Sequence, residues 1–166
     1  MKITVFTGNQ PRHLSLAKEL SKIATSIYLI TETNTLFPGK MNGSVAKSKT
    51  MEGYFDQVKK AEKKIFGDIQ FLGSNIKQLA INSGELSHLH EGQLREGLSS
   101  DLYIVFGASF IKGWLIDFLI KNRALNVHMG LSPYYRGSAC NFWALYDKNV
   151  SYVGSTIHML SKGLDS

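Results

Sequence analysis

The first thirty residues alternate a strand, a turn, an amphipathic helix and a second strand. Residues 2–7 (KITVFT) are rich in β-branched types and indicate a strand, which residues 8–11 (GNQP) interrupt. Apolar residues then recur at spacings of three and four between 12 and 24, as on one face of a helix, before the apolar run 27–30. A strand, a helix and a strand in this order form a crossover between parallel strands. The pattern predicts an α/β fold with a mostly parallel sheet.

The same alternation continues along the chain. We predict helices over 52–66, 84–98 and 111–122 and strands over 101–107, 124–128 and 152–160. Residues 31–52 are polar and indicate a long loop, and between 68 and 83 only residues 79–82 have the character of a short strand. Ser138 is the predicted N-cap of one further helix.

Length and composition narrow the classes of protein that remain. The 166 residues fit one domain, 1–166, and the single cysteine excludes a disulfide within the chain. No signal peptide and no apolar run of membrane-spanning length is present, so we expect a cytoplasmic protein without a membrane partner. The net charge of +6 favours anionic partners, although the lysine-rich run 59–64 indicates a solvated helix face more than a nucleic-acid site.

The strongest candidate site is the stretch 124–141, ALNVHMGLSPYYRGSACN, where a short strand runs into a loop. Asn126 and His128 are two residues apart and so share one face of the strand. An amide can donate to a developing oxyanion, and an imidazole can transfer protons near neutral pH. On spacing alone, a hydrogen-bonded histidine at a strand end is the slightly favoured interpretation, and both interpretations stay open.

The turn after the first strand is a second candidate. Gly8, Asn9 and Gln10 lead into a helix N-terminus, where backbone N–H groups can bind an anion, and Arg12 and His13 could add positive charge. The dinucleotide fingerprint G-x-G-x-x-G is absent, because the turn has only one glycine. A tight turn without a ligand remains the alternative.

The cysteine, the other histidines and one aspartate are weaker candidates for functional residues. Cys140 lies in the first turn of a predicted helix, where a thiol could act as a nucleophile with His128 as its base, but packing is the favoured interpretation. His88 and His90 lack the spacing of a metal site on a helix, and His158 fits a core position. Asp165, in KGLDS, could orient an imidazole from the edge of the sheet.

Two runs near the C-terminus carry a more specific pattern: 125–147, LNVHMGLSPYYRGSACNFWALYD, and 154–166, GSTIHMLSKGLDS. In order and gaps they combine N-x-H, a loop ending in R-G, G-x-T-x-H and G-x-D. In this they resemble the catalytic domain of the formyltransferases that use 10-formyltetrahydrofolate. That family includes glycinamide ribonucleotide formyltransferase, methionyl-tRNA formyltransferase and the sugar N-formyltransferases. The resemblance is strong over 100–166 and weak over 1–30, and the loop pattern S-L-L-P is shifted here to GLSP.

The resemblance implies a Rossmann-like, twisted and mostly parallel sheet, and a role for each matching residue. Asn126 would stabilise the oxyanion of a tetrahedral intermediate, His128 would move protons, and Asp165 would position His128. The 10-formyltetrahydrofolate cosubstrate would contact segment 106–112, through Phe106, Gly107, Phe110, Ile111 and Lys112. The acceptor would lie against two loops, the first of which holds a substrate phosphate in relatives; the residues concerned are Gly8, Asn9, Gln10, Arg12, Ser132, Tyr135, Arg136 and Gly137. No metal is implied.

The identity of the acceptor amine is the least determined point. No RNA-binding domain follows, so tRNA is the less favoured acceptor, and residues 31–98 carry no signature of a known substrate. We expect the primary amine of a nucleotide-linked amino sugar, with glycinamide ribonucleotide as the alternative, and a homodimer stays open. Because the chain ends before the family's domain is complete, we expect a C-terminally truncated catalytic domain. A folate- or nucleotide-binding fragment without activity and a Cys140-dependent hydrolase remain rival interpretations.

Overall fold

A computed structural model describes residues 1–33, 48–68 and 70–163. Within these ranges the strands are β1 (Lys2–Gly8), β2 (Ser26–Thr33), β3 (Ile76–Asn82), β4 (Leu102–Phe106), β5 (Leu125–His128) and β6 (Thr156–Met159). The α-helices are α1 (Pro11–Ser21), α2 (Lys49–Phe66), α3 (Glu91–Leu94), α4 (Gly113–Lys121) and α5 (Cys140–Tyr146). Helix and strand alternate along most of this order, as the sequence pattern predicts.

The six described strands form one sheet in the order β3-β2-β1-β4-β5-β6. β1 pairs in parallel with both β2 and β4, and β5 continues the parallel set next to β4. Only the edge strand β6, among those described, runs antiparallel to its neighbour. The predicted mostly parallel α/β sheet is therefore confirmed. The chain winds outward from β1 first on one side and then on the other, which places a change of winding direction between β1 and β4.

Side chains of the central strands alternate between two apolar cores, one on each face of the sheet. Val5 packs with Ala17 of α1 on one face, whereas Phe6 packs with Leu115 and Leu119 of α4 on the other. This two-sided burial explains why the strands appear in the sequence as near-continuous apolar runs. Among the helices of the described ranges, none combines the length and hydropathy that a membrane crossing requires.

The predicted helix over 84–98 is wrong. The segment instead contains 3₁₀ turns at Leu86–His88 and Gly97–Ser99 and the four-residue helix α3 between them. It has to connect β3, at one edge of the sheet, with β4 on the far side of β1, and on the way it buries Leu86 and Leu94 in the α4-side core. Buried contacts along an irregular path outweigh the helical propensity of this polar stretch.

Three other predicted boundaries also need correction. The strand predicted over 152–160 is limited to β6, because Val150–Tyr152 forms a 3₁₀ turn and the Gly154 amide donates to the Asn141 side chain at 2.9 Å. Ser138 is not an N-cap, since α5 begins after Ala139, whose φ is +56°. The predicted loop 31–52 is bounded by the end of β2 and the first residues of α2, and residues 34–47 lie outside the described residues.

Candidate active site

The carboxyl ends of three neighbouring parallel strands meet at one edge of the sheet. β1 ends at Gly8, β4 at Phe106 and β5 at His128, and β4 lies between the other two. In open α/β sheets, ligands bind at this edge, near the crevice where the winding direction changes. The three stretches in which the sequence analysis placed the site are therefore brought to one edge.

Asn126 is hydrogen-bonded to a histidine that the sequence analysis interpreted as a core residue. It lies opposite His158 in the β5–β6 pair, with Nδ2 of the asparagine 3.2 Å from Nε2 of the histidine. Nδ1 of His158 lies 2.9 Å from the Met159 carbonyl, which can only accept, so Nδ1 carries a hydrogen. In the neutral ring Nε2 is then the acceptor, and the Asn126 amide nitrogen donates to it. The bond orients the Asn126 amide with its NH₂ group towards β6.

His128 is buried at the end of β5, with a relative exposure of 6%. Its Nε2 lies 2.9 Å from the Tyr135 carbonyl, which can only accept, so Nε2 carries a hydrogen. Gly130 permits this packing, because a Cβ atom there would lie 2.5 Å from Nε2 and 2.9 Å from the Tyr135 oxygen. The imidazole is therefore held against the loop that follows β5.

The loop after β5 is fastened to β6 and to α5. Thr156 Oγ1 donates to the Gly130 carbonyl at 2.9 Å and accepts from the Ser132 amide at 3.1 Å. The Tyr135 hydroxyl donates to Asp147 at 3.1 Å. Of the loop residues predicted to bind substrate, Arg136 is exposed, whereas Ser132, Tyr135 and Gly137 are partly buried. The loop thus presents one exposed cation, Arg136, and a backbone that is fixed by hydrogen bonds.

The predicted donor-binding segment divides into core and surface residues. Phe106 and Ile111 are each only 6% exposed and pack inside the protein, so only their backbone atoms could meet a ligand. Gly107 is exposed with φ of +66°, and the Phe110 ring is 55% exposed with the Lys112 ammonium 5.6 Å from its centroid. An exposed aromatic ring beside accessible backbone groups can stack against a planar heterocycle.

The turn after β1 offers less positive charge than the sequence predicts. His13, at 3% exposure, is buried between Gly8 and Gly107, and its Nδ1 accepts from the Gln10 amide at 3.4 Å. Burial, and then the nearby Arg12 charge, lower the pKa of His13 from 6.5 to about 3, so its ring is neutral. Arg12 itself forms an ion pair with the buried Glu62 of α2. The expectation that His13 adds charge at this turn is wrong, because its ring is neutral, whereas Arg12 keeps its charge and shares it with Glu62.

The buried His13 predicts an acid-sensitive fold. In the unfolded chain this histidine binds a proton below about pH 6.5, while in the folded chain it stays neutral until about pH 3. The free energy of unfolding therefore falls as the pH falls through this window. Between pH 7 and pH 5 we expect the free energy of unfolding, measured by urea denaturation, to fall by about 2 kcal/mol in the wild type. His13→Asn should not show this fall. The exposed-site variant His88→Asn should keep the full loss, and equal slopes for His13→Asn and wild type would refute this assignment.

The remaining candidates are Asp165, Cys140 and a metal site. Asp165 lies outside the described residues. Cys140 is 2% exposed, and its thiol donates to the Gly137 carbonyl at 3.3 Å and contacts His128 Nε2 at 3.6 Å. It packs beneath the imidazole, as the favoured interpretation predicts. Within residues 1–33, 48–68 and 70–163, no group of three or more His, Cys, Asp or Glu residues could hold a metal ion.

Comparison with solved structures gives the fold a context. Phosphoribosylglycinamide formyltransferase from Anaplasma phagocytophilum superposes with a TM-score of 0.58 at 16% identity, over 100% of this chain and 67% of that one. A sugar N-formyltransferase from a Shewanella species gives 0.52 at 15% identity, over 100% and 53% of the two chains. Formyltetrahydrofolate deformylase from Pseudomonas syringae gives 0.53 at 9% identity, over 99% and 47%. No protein-family model and no curated protein matches the sequence.

These similarities define the class of fold. The chain has the Rossmann-like α/β fold that these formyltransferases and the deformylase share. The fold class that the sequence resemblance implies is thereby confirmed, and the site lies at the sheet edge where such folds bind ligands.

Proposed function

We propose that the chain is an N-formyltransferase catalytic domain, which transfers the formyl group of 10-formyltetrahydrofolate to a primary amine. The observation that carries the proposal is the placement of Asn126 and His128. Both lie on one face of β5, at the carboxyl edge of a sheet with the formyltransferase fold. An amide donor and a titratable imidazole at this edge are the groups that acyl transfer to an amine requires.

In the proposed reaction the amine nitrogen attacks the formyl carbon, and the carbonyl oxygen becomes an oxyanion. Asn126, oriented by His158, donates an N–H to that oxygen. His128 accepts the proton that the attacking amine loses, and its hydrogen bond to the Tyr135 carbonyl helps to hold the ring in place. The bond from the formyl carbon to the folate N10 then breaks, and N10 takes the proton that His128 accepted from the amine. Asp165 is proposed to position His128.

Two observations bear on the acceptor. At the β1–α1 turn the Gln10 N–H is directed at His13, and the charge of Arg12 is offset by Glu62. This turn is therefore a weak site for a substrate phosphate, which favours an amino sugar with its nucleotide held elsewhere over glycinamide ribonucleotide. The ribonucleotide enzymes superpose with TM-scores from 0.50 to 0.58, on both sides of the 0.52 of the sugar enzyme, so the fold does not separate the two acceptors. We propose the nucleotide-linked amino sugar as the first acceptor to test.

The proposal is tested by incubating the chain with 10-formyltetrahydrofolate and, separately, with nucleotide-linked amino sugars, glycinamide ribonucleotide and methionyl-tRNA. Mass spectrometry detects the formylated amine, and absorbance follows the release of tetrahydrofolate. We expect a product 28 Da heavier than one of the amino sugars. Release of tetrahydrofolate with formate and no formylated amine would indicate hydrolysis, as in a deformylase. Donor binding without turnover would indicate a non-catalytic module.

A further inference from the structure

We propose that Glu32 is a positioning residue for the formyl donor, because its buried carboxylate fixes the loop that joins β4 to α4. This β4–α4 loop, residues 107–112, is the segment proposed above to contact folate, so the inference rests on the proposed function. Glu32 lies near the carboxyl end of β2, opposite Gly8 in the parallel β1–β2 pair.

The Glu32 carboxylate binds two segments that are distant in sequence. One oxygen accepts from the Ser109 amide at 2.5 Å, and the other accepts from the Ser109 hydroxyl at 2.7 Å. The second oxygen also accepts from the Gly84 amide at 2.8 Å, in the turn that follows β3. Glu32 therefore joins β2, the turn after β3 and the β4–α4 loop at the ligand-binding edge of the sheet.

The burial of Glu32 makes these hydrogen bonds obligatory. The residue is 4% exposed, and in the described part of the chain no Lys, Arg or His forms an ion pair with it. A buried carboxylate without a cation depends on N–H and O–H donors for its solvation. Moving the loop away would leave the charge without those donors, so Glu32 holds Ser109 at one position.

A second set of hydrogen bonds holds the far half of the loop. Ser87 Oγ accepts from the Lys112 amide at 2.9 Å and donates to the Phe110 carbonyl at 3.3 Å. Between the Glu32 and Ser87 contacts, the backbone of the loop is fixed while the Phe110 ring remains 55% exposed. A loop that recognises a ligand through backbone groups binds more tightly when those groups are fixed in advance. Glu32 therefore acts on donor affinity through Ser109, without touching the reacting atoms.

The test is Glu32→Gln, which keeps the shape of the side chain but removes its charge and turns an NH₂ group towards the donors. We expect KM for 10-formyltetrahydrofolate to rise about tenfold, and KM for the amine to change less than about twofold. The Kd of a non-reacting 10-formyl folate analogue, measured by calorimetry, should rise by the same factor. Hydrogen exchange at the Ser109 amide should accelerate while Tm falls only slightly.

Two further variants keep the test decisive. Glu85→Gln is the matched control. Glu85 lies beside Gly84 in the turn after β3, and its exposed carboxylate accepts hydrogen bonds from Asn82. It should leave the donor KM unchanged. Ser109→Ala removes one of the three bonds and should raise the donor KM about threefold, even if Glu32→Gln does not fold.

The possible outcomes distinguish failure of the Glu32 inference from failure of the proposed formyl transfer. Equal rises in both KM values, or a loss of activity that follows the unfolded fraction, would show that Glu32 is only structural. An unchanged donor KM in both Glu32→Gln and Ser109→Ala would overturn the inference while the proposed function stands. A wild-type chain that neither binds the folate analogue nor transfers formyl would instead overturn the proposed function.

Discussion

Replacing His128 with alanine is expected to lower kcat for formyl transfer by about 10²–10⁴-fold, because the amine then loses its proton acceptor. The chain should still fold. The substitution removes the hydrogen bond to the Tyr135 carbonyl, which contributes about 1 kcal/mol, and it leaves space beside Gly130 and Cys140. Single-turnover kinetics measure the rate, and circular dichroism with a thermal melt measures the fold.

The control for this variant is His88→Ala. His88 is exposed, in the 3₁₀ turn before α3, and its loss should change neither the rate nor the melt. Turnover by His128→Ala within about tenfold of wild type would contradict the proposed proton transfer. In that case the function itself could survive, with another group as the base.

Replacing Asn126 with alanine is expected to lower kcat by about 10²–10³-fold with little change in either KM. The amide is proposed to bind charge that exists only in the transition state, so its loss should not weaken substrate binding. The side chain is partly buried and is hydrogen-bonded to His158, which can bind water instead. Steady-state kinetics with both substrates varied separates kcat from the two KM values.

Asn122→Ala is the matched control for this second variant. Asn122 is an exposed asparagine after α4, whose side chain donates to the Phe118 carbonyl at 2.8 Å. Its replacement removes the same kind of side-chain amide from an exposed position outside the proposed site. A rise in KM with unchanged kcat for Asn126→Ala would mean that the amide binds the ground state, and would refute an oxyanion role.

The parts of the fold that the sequence predicts correctly are those set by the spacing of apolar residues close together in the chain. Apolar runs at 27–30 and 101–107 lie in β2 and β4, and the helical spacing after Pro11 corresponds to α1. The segment 84–98 shows where this reasoning ends. Its composition permits a helix, but its path is set by the distance between β3 and β4 and by the burial of two leucines. Neither constraint is local.

The site divides in the same way. A spacing of two places Asn126 and His128 on one face of a strand wherever that strand pairs, so the sequence by itself determined their common orientation. The partner of Asn126 depends on the β5–β6 register, which brings His158 opposite it from 32 residues away. A GxTxH pattern could have flagged this histidine as a site residue, but only the pairing shows its contact.

Outside the segment 84–98, the sequence by itself determined the order of strands and helices, the glycine turns at the carboxyl edge and the face that carries Asn126 and His128. These follow from backbone geometry and from the periodicity of apolar residues, which act between near neighbours. Only the tertiary structure decided that His13 is neutral, that Arg12 is paired, that His128 donates to the Tyr135 carbonyl and that Glu32 holds the β4–α4 loop. The physical reason is that burial and hydrogen-bond partners depend on which distant segments pack together, and burial determines how a titratable group behaves.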